Sequence, residues 1–385
     1  MKILQAVSLF YPALAFGGPV RVSYAISKEF SKRGHEITVF TTDAYDRETR
    51  LKVGSGYDTI DGLRIKYFKN IIYDPRINLF IAPELVRVVK REIRQFDVVH
   101  IHDYRSFLCL VMTYYAKKCA VPYILQAHGQ LPRIMTKQWS KWIFDVLFGH
   151  GLLRDASKVI ALSLMEAEQY RGMGVPDEKI AVIPNGIDLS EYADLPPKGS
   201  FKKKFNIDEN EKIVLYLGRI HESKGLYLLA YAFSIVSKDL SNVRLVVVGP
   251  DDGYEAAFSK LISALGIEEK VLLTGFVEER SKLAALVDSD LFVTPRFYGF
   301  PVTFLEACLA ECPIVTASNE LDWIHDNVGY VVENSPVALA KAISNVLQDE
   351  RVNRRLRNNC RRIIKNFDIS TVASRLENTY KSVVR

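Results

Sequence analysis

"DLFVTPRFYGFPVTFLEACLAECPIVTA", Asp290 to Ala317, decides the fold. Its first apolar run, Leu291 to Val293, is too short for a helix and reads as a buried strand. Gly299 and Pro301 then punctuate the chain. From Val302 to Cys308 the apolar residues continue as a helix, and "PIVTA" supplies a second strand. A strand, a helix and a strand in so short a span imply a parallel crossover, the unit of α/β folds.

Pro301 suits the first helical position, where its missing N–H would be unpaired anyway. The amides of Val302, Thr303 and Phe304 then lack acceptors within the helix. With the positive end of the helix dipole they make an anion site. Glu306 follows about a turn later among Phe304, Leu305, Ala307 and Cys308, where an unpartnered carboxylate is costly. Two readings stay open: it accepts hydrogen bonds from two sugar hydroxyls, or it reaches solvent and favours the helix start.

The same alternation runs through the chain. "KILQAVS", "HEITVFTT", "FDVVHIHD", "VPYILQAHG", "ASKVIALS" and "KIAVIPNG" read as strands separated by helical segments. "NGIDLSEYADLPPKGS" is polar, aperiodic and carries Pro196-Pro197, so it marks a linker. "KIVLYLGR", "VRLVVVGP", "VLLTGF", "SDLFVTP" and "PIVTA" make a second set. Two Rossmann-like domains follow, residues 1–193 and 194–368. The tail "DISTVASRLENTYKSVV" reads as a helix capped by Asp368 or Ser370, with Val372, Leu376, Tyr380 and Val383 on one face.

A length of 385 residues suits about two domains. Cys109, Cys119, Cys308, Cys312 and Cys360 are scattered and lack a metal-ligand spacing, so they read as buried or inert thiols in a reducing compartment. No apolar run is long enough for a membrane helix. "MKILQAVSLFYPALAF" loosely mimics a cleavable signal but reads better as a first strand, which favours a cytoplasmic protein. Of the formal +6, residues 1–190 hold 26 Lys+Arg against 19 Asp+Glu, and residues 191–385 hold 25 against 26. The surplus in the first half suits an anionic partner or a simply solvated surface. No basic stripe interleaved with aromatics points to nucleic acid.

Ligands of open α/β sheets sit beyond the carboxyl ends of the strands. In "YLGRIHESKGL" a strand ends at Gly218-Arg219, and Ser223 can cap a helix starting near Lys224-Gly225. Arg219 and Lys224 therefore converge, and two fixed cations would hold a diphosphate and stabilise it as a leaving group. In "FGGPVR", Gly17-Gly18 permits close backbone approach, Pro19 starts a helix, and Arg21 lies in its first turn. The run is not G-x-G-x-x-G, which disfavours a nicotinamide dehydrogenase. His100, His102 and His128 fall at strand ends. His102-Asp103 and His128-Gly129 are nearer the ligand side, with His100 deeper. The stretch "IMTKQWSKWIFDVLF", with Lys137, Trp139, Lys141, Trp142, Ile143, Val146 and Leu147, reads as a core helix ahead of a membrane-docking one.

Taken together, "FGGPVR", "VVHIHDYRSF", "YILQAHG", "VIPNGIDLSEY", "YLGRIHESKG", "VVVGPDD", "VLLTGFV" and "YGFPVTFLEACLAECPIV" resemble the family-4 retaining glycosyltransferases of the GT-B fold over nearly the whole chain. The resemblance implies two Rossmann-like domains facing across a central cleft, an acceptor domain first and a nucleotide-sugar domain second. The last helix, 369–385, would return to pack on the first. Arg219 and Lys224 would grip the donor diphosphate, and Glu306 the ribose. The turn of Tyr298, Gly299, Phe300, Pro301, Val302 and Thr303 would meet phosphates and sugar. His128 would sit by the donor sugar as a catalytic residue, over a floor of Gly17 and Gly18. Thr274 to Val277, with Phe276 and Val277, would flank the base. Arg21, His102 and Asp103 are acceptor-side candidates.

It further implies transfer with retention from a nucleotide-diphosphate sugar to a glycan or lipid-linked acceptor in cell-surface or protein glycan synthesis, with no metal and no cofactor. Peripheral contact with the inner membrane face through the basic first domain is a further expectation. Two positions depart from the family. Tyr298 stands where the pattern has a Glu that contacts the donor sugar, and Glu311-Cys312 replaces small residues. Tyr298 keeps two alternatives in play: a catalytically silent nucleotide-sugar binder, or a sugar-nucleotide epimerase of the same fold.

Overall fold

The computed structural model describes residues 1–75, 79–133 and 138–384. The chain divides into two compact units, Met1–Asp188 with Phe367–Arg385, and Leu189–Asn366.

The first unit is built on an eight-stranded sheet. Its spatial order is Ile180–Val182, Lys158–Ala161, Tyr123–Gln126, Val98–Ile101, Lys2–Ala6, Glu36–Thr42, Leu63–Phe68 and Asp58–Ile60. All neighbours pair in parallel except the last two, which form an antiparallel edge. Strand Lys2–Ala6 lies in the middle, which accounts for its apolar Ile3 and Leu4, both fully buried. Helices Gly18–Lys32, Glu84–Glu92, Phe107–Lys118 and Leu164–Gly172 cross over between strands. In Phe107–Lys118 and Leu164–Gly172 the Ser106 and Ser163 hydroxyls cap the first turn.

The last helix, Ile369–Lys381, packs on Gly18–Lys32 within this unit. Arg33 holds it through the Ser370 carbonyl at 2.5 Å, Ser374 at 3.0 Å and Glu377 at 3.2 Å. Tyr380 is buried, and its hydroxyl lies 2.6 Å from Nδ1 of His100. Asp368 occupies the cap position, but its carboxylate takes the Ser370 hydroxyl instead of a helix amide.

The second unit holds six parallel strands in the order Val271–Gly275, Val243–Val248, Lys212–Leu217, Leu291–Thr294, Ile314–Thr316 and Gly329–Val331. Helices cover both faces, so "VRLVVV" is buried except at Arg244 and shows no alternation. The fold is α/β throughout. Two strand ends come unusually close here. A Cβ on Gly249 would lie 2.0 Å from the Gly218 carbonyl oxygen, so only glycine fits. That contact brings the loop carrying Arg219 beside the loop carrying Asp252.

All five cysteines are free thiols. Four are buried and Cys119 is half-buried. Among the described residues, no helix is long and apolar enough to cross a membrane.

Candidate active site

In the second unit the site residues gather at the carboxyl ends of the strands. Arg219 follows strand Lys212–Leu217, is exposed, and pairs with Asp252 from the next strand's end. Lys224 ends a short 3₁₀ turn, Glu222–Lys224. That turn is capped by His221, whose Nδ1 accepts the Ser223 amide at 3.1 Å. Ser223 is therefore not the cap expected from the sequence. Helix Leu226–Asp239 starts instead from Gly225, at φ 72°. A Cβ there would press on Pro295 and Arg296.

Lys224 is the unusual cation. Burial and the nearby Arg219 charge both push its pKa below the ordinary lysine value. Among the described residues it has no ion-pair partner. The aliphatic part of Arg296 runs past the neighbouring Gly225, and its guanidinium bonds the Tyr227 hydroxyl at 2.8 Å. Sequence reading passed over Arg296, because one arginine at a strand end carries no pattern.

Helix Val302–Leu309 follows strand Leu291–Thr294. Pro301 is its cap rather than its first residue. The Phe304 amide bonds the Pro301 carbonyl at 3.2 Å, so Phe304 drops out of the expected amide cluster. The Val302 and Thr303 amides have no acceptor among the described residues. Phe304 instead anchors the turn, its ring packing edge-on against Phe297. Gly299 adopts φ 70°, and its amide donates to Glu320 at 3.3 Å. Glu320 reaches in from the loop after strand Ile314–Thr316, and burial raises its pKa. Tyr298 is 41 % exposed on the same turn.

Glu306 does not reach solvent. It is buried, with Oε1 accepting from Lys282 at 2.7 Å and from the Tyr192 hydroxyl at 3.2 Å. Its Oε2 is buried without a partner. A buried carboxylate satisfied on one oxygen only is set up to receive a further donor. Phe276 follows strand Val271–Gly275 with 75 % of its surface exposed, and Val277 is half-buried beside it.

The first unit gathers its own set. Gly17, at φ 86°, precedes helix Gly18–Lys32, which begins one residue before Pro19. Arg21 is half-buried in its first turn. His102 bonds Gln5 at 2.6 Å and His128 at 3.1 Å. The His100 ring lies 4.0 Å from that of His102, tilted against it. Burial lowers the pKa of His100 to about 3 and of His128 to about 4, and drives His102 down as well. All three are neutral near pH 7. His128 takes a left-handed conformation at φ 51°, and its Nδ1 is buried without a partner. Asp103 accepts the Ser8 amide at 2.7 Å, which commits one oxygen to holding the loop after the first strand.

Two family models divide the chain between them. Glycosyltransferase Family 4 matches residues 16–191, and Glycosyl transferases group 1 matches residues 197–363. The chain belongs to this glycosyltransferase family. It is 25 % identical to an uncharacterised glycosyltransferase of Methanocaldococcus jannaschii, over 99 % of this chain and 98 % of that one. It is 23 % identical to the N-acetyl-α-D-glucosaminyl L-malate synthase of Bacillus anthracis, over 97 % and 96 %. The Anabaena HepE structure in complex with UDP shares its fold at a TM-score of 0.78 and 20 % identity, covering 99 % of this chain and all of that one. This likeness gives the glycosyltransferase its fold class, GT-B.

Proposed function

We propose that this glycosyltransferase moves a sugar with retention of configuration from a nucleotide-diphosphate sugar to an acceptor hydroxyl, without a metal. The observation that carries the reading is Lys224: a desolvated cation with no acidic partner, close to a second cation. Arg219 already holds Asp252, so the uncompensated charge is that of Lys224, and a diphosphate would supply its anion. In this reading Arg219, Lys224 and the Val302 and Thr303 amides hold the diphosphate, and Glu306 Oε2 takes a ribose hydroxyl. The exposed Phe276 ring, with Val277, lies against the base. Glu320, with Gly299, Phe300 and Tyr298, faces the donor sugar, so a carboxylate is available at this turn although position 298 is a phenol.

In the transfer step the bond from the sugar's anomeric carbon to the diphosphate oxygen breaks. The acceptor oxygen bonds that carbon from the same face. The acceptor's proton passes to the departing diphosphate, whose charge the cations and the helix start stabilise. Within the first unit, Gly17 leaves room for close backbone approach, and His128 presents a buried Nδ1 without a partner. Arg21 and the basic surplus of that half suit an anionic or lipid-linked glycan acceptor. The malate synthase relative is itself named for an anionic acceptor.

The test is incubation with labelled nucleotide sugars in EDTA, with and without a membrane-glycan extract as acceptor, and NMR of the product. Transfer with the donor's anomeric configuration kept supports the reading. Inversion, or activity only with added metal, overturns it. A changed sugar without acceptor identifies an epimerase, and binding without turnover a silent relative.

A further inference from the structure

Residues Gln138–Asp155 form one continuous helical run, with a π-helical stretch at Asp145–Gly149 between two α-helical ones. Its polarity is inside out. Asp145 is fully buried, gripped by Arg105 and Arg133 at 2.8 Å and by the Tyr104 hydroxyl at 3.0 Å. Gly149 is buried where a Cβ would meet the Tyr104 hydroxyl at 2.2 Å. Trp139, Trp142, Ile143, Val146, Leu147 and Phe148 face outward, with Trp139 72 % and Leu147 65 % exposed. The core reading of this stripe is therefore corrected: the inward position went to a salt-bridged carboxylate, and the apolar residues went to the surface. Lys137, part of the same expectation, lies outside the described residues.

A contiguous apolar patch of this kind marks a docking surface. Cations frame it. Asp145 is outnumbered by Arg105 and Arg133, and Asp155 by Lys117 and Arg154, while Lys141 on the run itself adds charge. A second copy of this face would bring like charges together, whereas an anionic lipid surface complements them. Tryptophans beside cations are the side chains that settle at the headgroup level. We propose that this run lies in the plane of an anionic membrane, with Trp139 and Trp142 at the headgroup boundary and Leu147 reaching the acyl chains. The buried ion pairs of Asp145 keep the helix facing outward.

Vesicle flotation tests this on the whole protein. Wild type is expected to float with vesicles of phosphatidylcholine and phosphatidylglycerol, at least tenfold better than with phosphatidylcholine alone, and less so in high salt. Its tryptophan emission should shift to the blue. Trp142→Glu with Leu147→Glu should lose flotation at least tenfold while keeping the wild-type far-UV spectrum. The milder Trp142→Ser serves if that pair disturbs folding. Wild type that stays unbound overturns the proposal, as do variants that float equally well. So does a wild-type dimer that these substitutions dissociate, because it assigns the face to a second copy.

Discussion

The Lys282 ammonium meets Oε1 of Glu306 at 2.7 Å, joining helix Glu279–Asp288 to helix Val302–Leu309. This pair fixes one carboxylate oxygen and leaves the other buried and open. Removing one partner of a buried pair strands a charge. Lys282→Ala is expected to lose about 3 kcal/mol of stability. Lys282→Ala combined with Glu306→Gln should recover part of that loss, because the charge is gone. Urea melts of the single and double variants measure this, and a Lys282→Ala melt that matches wild type contradicts it.

Glu306→Gln keeps the shape but makes one terminal atom a donor. Donor affinity should fall about tenfold or more, as a charge-assisted bond to a sugar hydroxyl is lost. Titration calorimetry with the donor found by screening checks it. Unchanged affinity would remove Glu306 from the donor site.

Lys224→Met should separate stability from function. A lysine whose folded pKa lies below its unfolded value destabilises the fold at pH values where the unfolded chain is protonated, and the cost eases as pH rises through the folded pKa toward the unfolded one. At pH 7 the uncharged Met is therefore expected to raise the melting temperature of the unliganded protein. The same change should lower kcat/KM by about a hundredfold or more, as a leaving-group contact is lost. A variant that melts lower and turns over normally would show a merely structural lysine.

Glu320→Gln should change discrimination between donor sugars more than it changes binding of the free nucleoside diphosphate. Competing pairs of donors, compared by kcat/KM, read this out. Equal preference before and after would place Glu320 outside the sugar pocket.

The buried histidines set an acid limit. His100 and His128 stay neutral when folded down to about pH 3 and 4, but the unfolded chain protonates below about 6.5. Stability should thus fall as pH drops from about 6.5, by roughly 2 kcal/mol for each histidine at pH 5. Asp103, with its pKa raised by burial, works in the opposite sense. Urea midpoints at pH 7.5 and 5 should differ, and His100→Asn should narrow the gap.

Much of the fold could be read because buried parallel strands announce themselves. "VRLVVV" and "KIVLYL" have no alternation to misread. Strand Gly329–Val331 escaped notice. It has three residues, and its fit depends on a glycine whose Cβ would lie 1.6 Å from the Ile314 carbonyl oxygen. The site divides in the same way. Arg219, Lys224 and Glu306 stand in local strand-end patterns, so the sequence could offer them. Lys282 sits in "ERSK", which looks like any solvated helix, and its partner is 24 residues away. Glu320 and Arg296 likewise acquire meaning only when neighbouring strand ends come together. The Trp139–Phe148 stripe misled for a related reason. Helical spacing shows that apolar residues share a face, but not whether that face or Asp145 turns inward.

On this reading Arg219 and Lys224 receive a diphosphate without a metal. Thermal shift with UDP, GDP and ADP in EDTA tests it most directly, because a ligand that binds only the folded state raises its melting temperature. At least one nucleoside diphosphate should stabilise the wild type, and that shift should vanish in Lys224→Met. No shift with any of the three, or an equal shift in the variant, would contradict the account.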